Sequence, residues 1–281
     1  HSFPTRRSSD LLVAHVGRDN FIAGLRKYFT KHAYKNTELS DLITELEVAS
    51  GKDLTAWVGT WLRTAGVNTL RPIVELDGDN YVSVSVKQEV PPMPVGSKEL
   101  RPHHLYIGLF DLHDGTLVRR ESIEVDIDGE ITEIKEFAGK KAADLLLIND
   151  HDQSYAKLRF DERSVETMKS YEGKLDDSLA RGLIWASLWD STRDGELSAT
   201  DYIKIALNTL KGETDIESRS TLLSIIVTAR GIAAGLKWLE EVSLTPAQLS
   251  STGLHALASA YLREEDSDSL VQLLTPLSED H

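Results

Sequence analysis

The sequence predicts a multidomain chain of α and β structure. Short helices belonging to the edge of a larger domain come first, then a small antiparallel β-sandwich, then an α-solenoid-like helical domain. Three observations predict this. Apolar residues recur at helical spacing through 12–66, alternate with polar ones at a period of two within 67–147, and return to helical spacing over 148–281.

In the first region, NFIAGLRKYFTKHAY sets Phe21, Ile22, Leu25, Tyr28 and Phe29 on one helical stripe. Thr37 is placed to cap a second helix with the stripe Leu39, Leu42, Ile43, Leu46 and Ala49, closed by Gly51. Asp53 caps LTAWVGTWLRTAG, whose face is Leu54, Trp57, Val58, Trp61 and Leu62 and whose end is Gly66. These helices show no core of their own. Without the rest of their domain they are expected to expose Trp57 and Trp61, a patch that invites aggregation.

In the middle region, YVSVSV places Val82, Val84 and Val86 on one face of a strand and Ser83 and Ser85 on the other. HHLYIGLFDL and SIEVDID read as two further strands. Asp77-Gly78, Asp114-Gly115 and Asp128-Gly129 each sit where a hairpin would turn. The proline-rich VPPMPVGSKELRP between the first two strands is a loop, because proline cannot donate to a ladder.

In the last region, Leu179, Leu183, Trp185 and Leu188 give one helix broad apolar faces. Ser198 or Thr200 starts the next, through DYIKIALNTL. ESRSTLLSIIVTARGIAAGLKWL and TPAQLSSTGLHALASAYLREE follow, the second with Thr245 as N-cap and Pro246 in its first turn. Consecutive helices on short polar links suggest a solenoid-like stack. The chain stops after a partial pattern, LVQLLTPL, as though this domain were cut short.

Composition narrows the function. A net charge of −14 opposes nucleic-acid binding, which needs clustered Lys and Arg. The absence of cysteine rules out disulfides and thiolate chemistry, and is compatible with a cytoplasmic setting. No apolar run reaches the roughly 18–20 residues of a membrane span. The opening HSFPTRRSSDL fails as a secretory or twin-arginine signal, since Leu11–Ala14 is too short an apolar run. It resembles instead the translation of a short-read sequencing adapter. The expectation is that residues 1–11 are a non-native artefact and that LVAHVG, just after, is the tail of a native helix.

A catalytic constellation is hard to find. None of the nine histidines is followed by Glu, so the H-E-x-x-H zinc motif is missing, and no pair sits at i, i+4. His103 and His104 are neighbours on a strand and point to opposite faces. They are expected to be surface or loop-edge residues. Asp150, His151, Asp152 and Asp161 could invite a metal but lack an EF-hand rhythm. They read as polar groups ordering a loop between sandwich and helices. Asp190, Arg193, Asp194 and Glu196 read as an inter-helix turn, and the pairs Trp57/Trp61 and Trp185/Trp189 as core.

Three strings carry a family resemblance. FIAGLRKYFTKHAYKNTELSDLITELEVASGKDLTAWVGTWLRTAGVNTLRP resembles the end of the catalytic domain in the aminopeptidase N family of thermolysin-like zinc aminopeptidases. The matching positions are Tyr28, Phe29, His32, Ala33, Tyr34, Asn36, Asp41, Leu42, Ser50, Gly51, Asp53, Leu54, Trp57, Trp61, Leu62, Ala65 and Gly66, with Asn68 where many relatives carry proline. LLLINDHDQSYAKLRFDERS is similar to the start of that family's C-terminal helical domain, and ARGLIWASLWDSTRDGELSATDYIKIAL to its early helices. The resemblance implies boundaries at 12–66 (end of the catalytic domain), 67–147 (sandwich) and 148–281 (helical domain). It also implies a zinc aminopeptidase parent that takes N-terminal residues from peptides, is monomeric and cytoplasmic, and binds neither nucleic acid nor membrane.

Family members hold zinc through H-E-x-x-H and a distant Glu, bind the substrate amine with a G-x-M-E-N loop, and steady the oxyanion with a tyrosine. The resemblance places all of these upstream of the helix that starts near Asn20, and none of these motifs occurs in the sequence. No catalytic, cofactor-binding or metal residue is therefore carried over, and Tyr28, Tyr34 and Tyr155 are not assigned the tyrosine role. Zinc belongs to the parent, and this chain by itself is expected to bind none and to be inactive. Two alternatives stand beside this reading: a non-enzymatic sandwich-plus-solenoid interaction module, and a hydrolase built around Asp150, Asp152 and Asp161.

Overall fold

The computed structural model describes residues 5–171, 175, 177–210, 212, 221–222, 225–226 and 228–229. The chain divides into two compact units. One comprises 1–168 with 175–190, the other 169–174 with 191–281.

The first unit opens with four helices: α1 (Thr5–Val16), α2 (Arg18–Lys31), α3 (Leu39–Ser50) and α4 (Thr55–Leu62). Gly17, at φ 84°, separates α1 from α2 in a conformation that side chains disfavour. Gly24 is the buried residue of α2. A Cβ there would stand 2.7 Å from Leu46 Cδ2 and 3.1 Å from the Glu45 carbonyl oxygen, so its absence lets α2 cross α3 closely. The N-cap of α3 is Glu38, one residue later than expected, with the Asp41 carboxylate accepting its N–H at 2.9 Å. Thr37 instead shares a 2.7 Å hydrogen bond with the Tyr28 hydroxyl. Gly51 closes α3 in the left-handed region, as expected. The Asp53 carboxylate does accept from the Thr55 N–H at the start of α4, and that bond holds its pKa below the usual carboxylate range.

These helices have a small core, contrary to the sequence reading. Leu12, Val16, Ile43, Leu46, Leu54, Trp57 and Val58 are buried together, and Leu11 and Trp61 pack against them. Trp57 is only 3% exposed. The expected Trp57/Trp61 surface patch is therefore absent. Helical periodicity identifies which residues share a face, but not that α1 and the sandwich both lie against it.

The sandwich has two sheets. One is four-stranded, in the order β5 (Ile131–Glu133), β2 (Asn80–Glu89), β1 (Thr69–Asp77), β7 (Lys157–Leu158). The other is three-stranded, in the order β4 (Thr116–Ile127), β3 (His103–His113), β6 (Leu145–Ile148). All pairings are antiparallel except β1 with β7. The inner faces of both sheets meet in one core, including Leu70, Val84 and Val86 from one sheet and Leu105, Ile107, Leu109, Leu146 and Ile148 from the other.

Four strands went unread in the sequence. β1 contains Pro72, yet the proline costs no ladder bond. The Leu70 carbonyl accepts from Arg159 beside β7, so Pro72, two residues on, faces the same edge where β7 has ended. β5, β6 and β7 are too short or too continuously apolar to alternate.

Two further expectations are corrected by register. Val82 is 48% exposed, whereas Val84 and Val86 are buried. The pairing passes from Glu75↔Ser83 to Leu76↔Tyr81, which leaves Val82 as the extra residue of a bulge and turns Tyr81 inward. Asp128-Gly129 is not a hairpin turn either. It carries the chain from β4 across to β5 in the other sheet. Asp114-Gly115 does turn a hairpin, with φ of 49° and 74° as a type I′ turn requires.

α5 (Glu162–Ser170) and α6 (Ser178–Arg193) begin in the first unit. Ile184, Trp185 and Leu188 are buried on α6, but Leu179 is 45% exposed because it lies in the first turn. In the second unit Ser198 starts α7 (Ala199–Leu210), its hydroxyl accepting from the Asp201 N–H at 3.0 Å. Tyr202, Ile205, Ala206, Thr209 and Leu210 form the buried stripe of α7. The long pattern at 217–239 lies mostly outside the described residues, and those beginning at Thr245 and Leu270 entirely so. Among the described residues, no helix is long and apolar enough to cross a membrane.

Candidate functional site

The residue types that could do chemistry are spread over the first unit. His103, next to the loop before β3, is only 2% exposed. That corrects the expectation of a surface histidine. Gln88 on β2 donates from Nε2 to the Gly129 carbonyl at 3.0 Å, which turns its Oε1 toward His103 Nε2 at 3.1 Å. An amide oxygen only accepts, so Nε2 carries the proton and Nδ1 accepts from Ser154 Oγ at 2.5 Å. Burial first, and the Arg101 charge second, push the imidazole down to about 3. His103 is a neutral, fully engaged structural group. His104 points to the opposite face, as expected, with Nδ1 2.7 Å from Asp126 and Nε2 2.8 Å from Glu124.

Zinc needs three or four converging protein ligands at about 2.0–2.2 Å. Both His103 nitrogens are already committed, and the two acids on His104 sit at opposite ends of its ring. Among the described residues no group of three or more His, Asp or Glu is placed to hold a metal ion.

Two arginines organise the unit instead, Arg101 buried and Arg119 half-buried, and the sequence reading missed both. Arg101 ends the proline-rich loop and is 3% exposed. Its Nε donates to the Thr60 carbonyl at 3.1 Å and its Nη2 to Thr64 Oγ1 at 2.6 Å and the Ala65 carbonyl at 3.3 Å. Nη1 reaches Asn68 Oδ1 at 2.7 Å. The guanidinium thus sits on the carbonyl end of α4, where a helix presents partial negative charge. Trp61 lies 5.5 Å below it and donates from its indole to the Pro102 carbonyl. Asn68 also donates to the Glu89 and Glu99 carbonyls, pinning both ends of the loop. This hub fastens α4 to the sandwich.

Arg119 is the second hub. The pairing of β3 with β4 shifts between Leu109↔Glu121 and Phe110↔Arg119, leaving Arg120 as the extra residue and pointing the two arginines apart. Arg119 lies over the Phe110 ring at 5.1 Å and grips Asp150 through Nε and Nη2, both at 2.8 Å. Its Nη2 also reaches Asp177 at 2.6 Å. Asp150 is fully buried and takes a third bond, from Ser122 Oγ at 3.0 Å. Gly108 makes room for it. A Cβ there would stand 2.6 Å from the Asp150 carboxylate and 2.7 Å from Phe110 Cε2.

Asp177 caps α6 through the Leu179 and Ala180 N–H groups. Burial would raise its pKa, but the bonds from Arg119 and the Ala180 N–H outweigh it and hold the carboxyl low. This hub fastens the start of α6 to the outer face of the three-stranded sheet.

The acids that invited a metal are thereby separated. Asp150 belongs to Arg119. Asp152 is a turn residue at φ 51° whose N–H bonds the Asn149 carbonyl, and Asp161 accepts from Ser164 near the start of α5. Ser122, His151 and Asp150 do form a Ser-His-Asp trio, with Ser122 Oγ 3.2 Å from His151 Nε2. Its polarity is wrong for a nucleophile. The serine proton goes to Asp150, so the imidazole donates to the serine and cannot act as its base. Asp194 to Glu196 form the expected turn, with Gly195 at φ 79°, whereas Asp190 and Arg193 lie in the last turn of α6. Tyr28 and Tyr155 are engaged structurally or at the surface, and Tyr34 is fully exposed.

Residues 145–278 match the family model of the ERAP1-like C-terminal domain. Aminopeptidase N of Streptomyces lividans is 46% identical over 210 residues, which cover 73% of this chain and 24% of that protein. Aminopeptidase N of Lactococcus lactis subsp. lactis is 37% identical over 83 residues, 29% of this chain and 9% of the relative. The tricorn protease-interacting factor F2 of Thermoplasma volcanium is 24% identical over 221 residues, 77% of this chain and 25% of the relative. The chain spans about a quarter of the length of the first of these.

Proposed function

We propose, for a chain that belongs to the C-terminal part of the aminopeptidase N family, that it is the non-catalytic connector of a zinc aminopeptidase. The observation that carries this reading is the 46% identity to an aminopeptidase N across 73% of the chain. The intact enzyme removes N-terminal residues from peptides, and its zinc ligands and amine-binding loop are supplied by polypeptide upstream of this chain. The contribution of this chain is mechanical. Arg101 ties the last helix of the catalytic region to one flank of the sandwich, and Arg119 ties the start of α6 to another.

This part alone hydrolyses no peptide. Incubation with an aminoacyl reporter amide and added zinc is the test. The expected result is buffer-level turnover. Turnover that survives repurification and disappears with a chelator would overturn the inactivity. For the parent, extending the reading frame upstream is expected to reach H-E-x-x-H, and a long upstream frame lacking it would refute the aminopeptidase assignment.

A further inference from the structure

Two histidines meet where α1 lies against the start of β3, and their surroundings favour opposite charge states. His104 stands directly across from Asp126 on β4 and diagonally from Glu124. Its Nδ1 lies 2.7 Å from Asp126 Oδ1 and its Nε2 2.8 Å from Glu124 Oε1. A carboxylate only accepts, so both contacts are hydrogen bonds at once only when both ring nitrogens carry protons. His15, in the last turn of α1, is the contrary case. Its ring stacks on Trp57 at 6.1 Å, and Lys52 Nζ donates to its backbone carbonyl at 2.6 Å. Both rings line one cavity of about 10 Å³, too small to hydrate a new charge. Burial first, and Lys52 second, hold the His15 pKa below the usual imidazole value; Asp126 opposes them and His104 adds to them.

We propose that His15 and His104 form a proton-operated latch between α1 and the three-stranded sheet, closed while His104 carries the extra proton and His15 does not. In mild acid, a proton on His15 sets a second cation in the cavity beside His104, with Lys52, from the link between α3 and α4, also near it. Asp126 is already engaged by His104 and cannot answer both rings. The end of α1 then moves toward water, where the new charge is solvated, and uncovers Trp57. The sign follows from linkage. The folded-state pKa of His15 is lowered, so its contribution to the closed junction is present above the unfolded value near 6.5 and lost as pH falls below it. Loss of the His104 proton in alkali has a smaller consequence. Glu124 and Asp126 have side chains 55% and 83% exposed, so the carboxylate left facing a lone pair turns to solvent without moving a helix.

Hydrogen–deuterium exchange of the full chain tests the latch, read by mass spectrometry on residues 11–17 and corrected for the intrinsic pH dependence of exchange. Protection there should fall about threefold or more between about pH 7.5 and 5.5, while residues 18–31 of α2 change less. The buried His103 takes up no proton in this range, since its folded pKa is about 3. His15→Phe keeps a ring on Trp57 that cannot be protonated, and should hold the protection flat. His104→Gln removes the neighbouring cation and frees Asp126 to pair with His15, so the fall should shrink. Ring-nitrogen NMR of the unsubstituted chain reads the same point without a variant. At about pH 7, two protonated nitrogens are expected on His104 and one on His15.

Protection of residues 11–17 that ignores pH, or a fall that persists in full in His15→Phe or in His104→Gln, overturns the proposal. So does a His15 ring found protonated on both nitrogens at about pH 7, or a His104 ring found protonated on one.

Discussion

Replacing Arg119 by methionine is the sharpest probe of how the sandwich is held. The variant keeps most of the side-chain volume but leaves Asp150, fully buried, with Ser122 as its remaining side-chain donor, and deprives Asp177 of its cation. Removing one partner from a buried ion pair typically costs about 3–5 kcal/mol, because a charge is stranded out of water. Arg120 is the internal control. It pairs with Asp111 from the exposed side of the same bulge, an interaction worth about 0–1 kcal/mol.

Urea unfolding followed by tryptophan fluorescence should therefore separate Arg119→Met from Arg120→Met by about 2–5 kcal/mol. For a unit of this size that corresponds to a difference in Tm of roughly 4–20 °C, at about 2–4 °C per kcal/mol. The double variant Arg119→Met with Asp150→Asn should recover part of the loss, giving a coupling of at least about 1 kcal/mol in the mutant cycle. Equal destabilisation by the two arginine variants, or strict additivity with Asp150→Asn, would refute the claim that Arg119 compensates a buried carboxylate.

Gly108→Ala should destabilise by about 1–3 kcal/mol or more, because the new methyl occupies the space of the Asp150 carboxylate and the Phe110 ring, and a thermal melt reads it directly. Asp177→Asn should cost stability at pH 7. Since the folded-state pKa of Asp177 is lowered, its contribution is present above the unfolded value near 4 and lost as pH falls below it, so variant and parent should converge in acid. His103 acts in the same direction by another route. Its folded pKa is about 3 against about 6.5 unfolded, so protonation favours unfolding and stability drops by about 2 kcal/mol between pH 6.5 and 4.5. His103→Gln should flatten that part of the stability–pH curve. An unchanged slope would mean that the ring is not buried as described.

Much of the fold was legible because local rules decided it. Gly51 ends α3 in the left-handed region, Asp114-Gly115 makes a type I′ hairpin, and Ser198 caps α7, each fixed by backbone preferences within a few residues. The candidate site was less legible. His104 was read correctly as facing away from His103, since alternation along a strand settles that. The burial of His103 depends on Gln88 and Ser154, which lie 15 and 51 residues away in sequence. Arg101 and Arg119 gave little local signal. The hints were an arginine ending a proline-rich loop and an acid, Asp150, closely following the apolar run of β6.

The sequence alone determined the order of helical, strand-forming and helical regions, and, through strings such as SGKDLTAWVGTWL and LLLINDHDQSY, the kinship with aminopeptidase N. It determined the lack of cysteine and of an H-E-x-x-H motif, because these are properties of residue identity and spacing. Only the tertiary structure decided that Val82 faces out, that Trp57 is covered, and which of two adjacent arginines holds Asp150. Each of these turns on a one-residue register shift or on a partner tens of residues away. A period-two pattern cannot reveal a bulge that reverses it, and a charge does not disclose where its counter-charge will be brought by the fold.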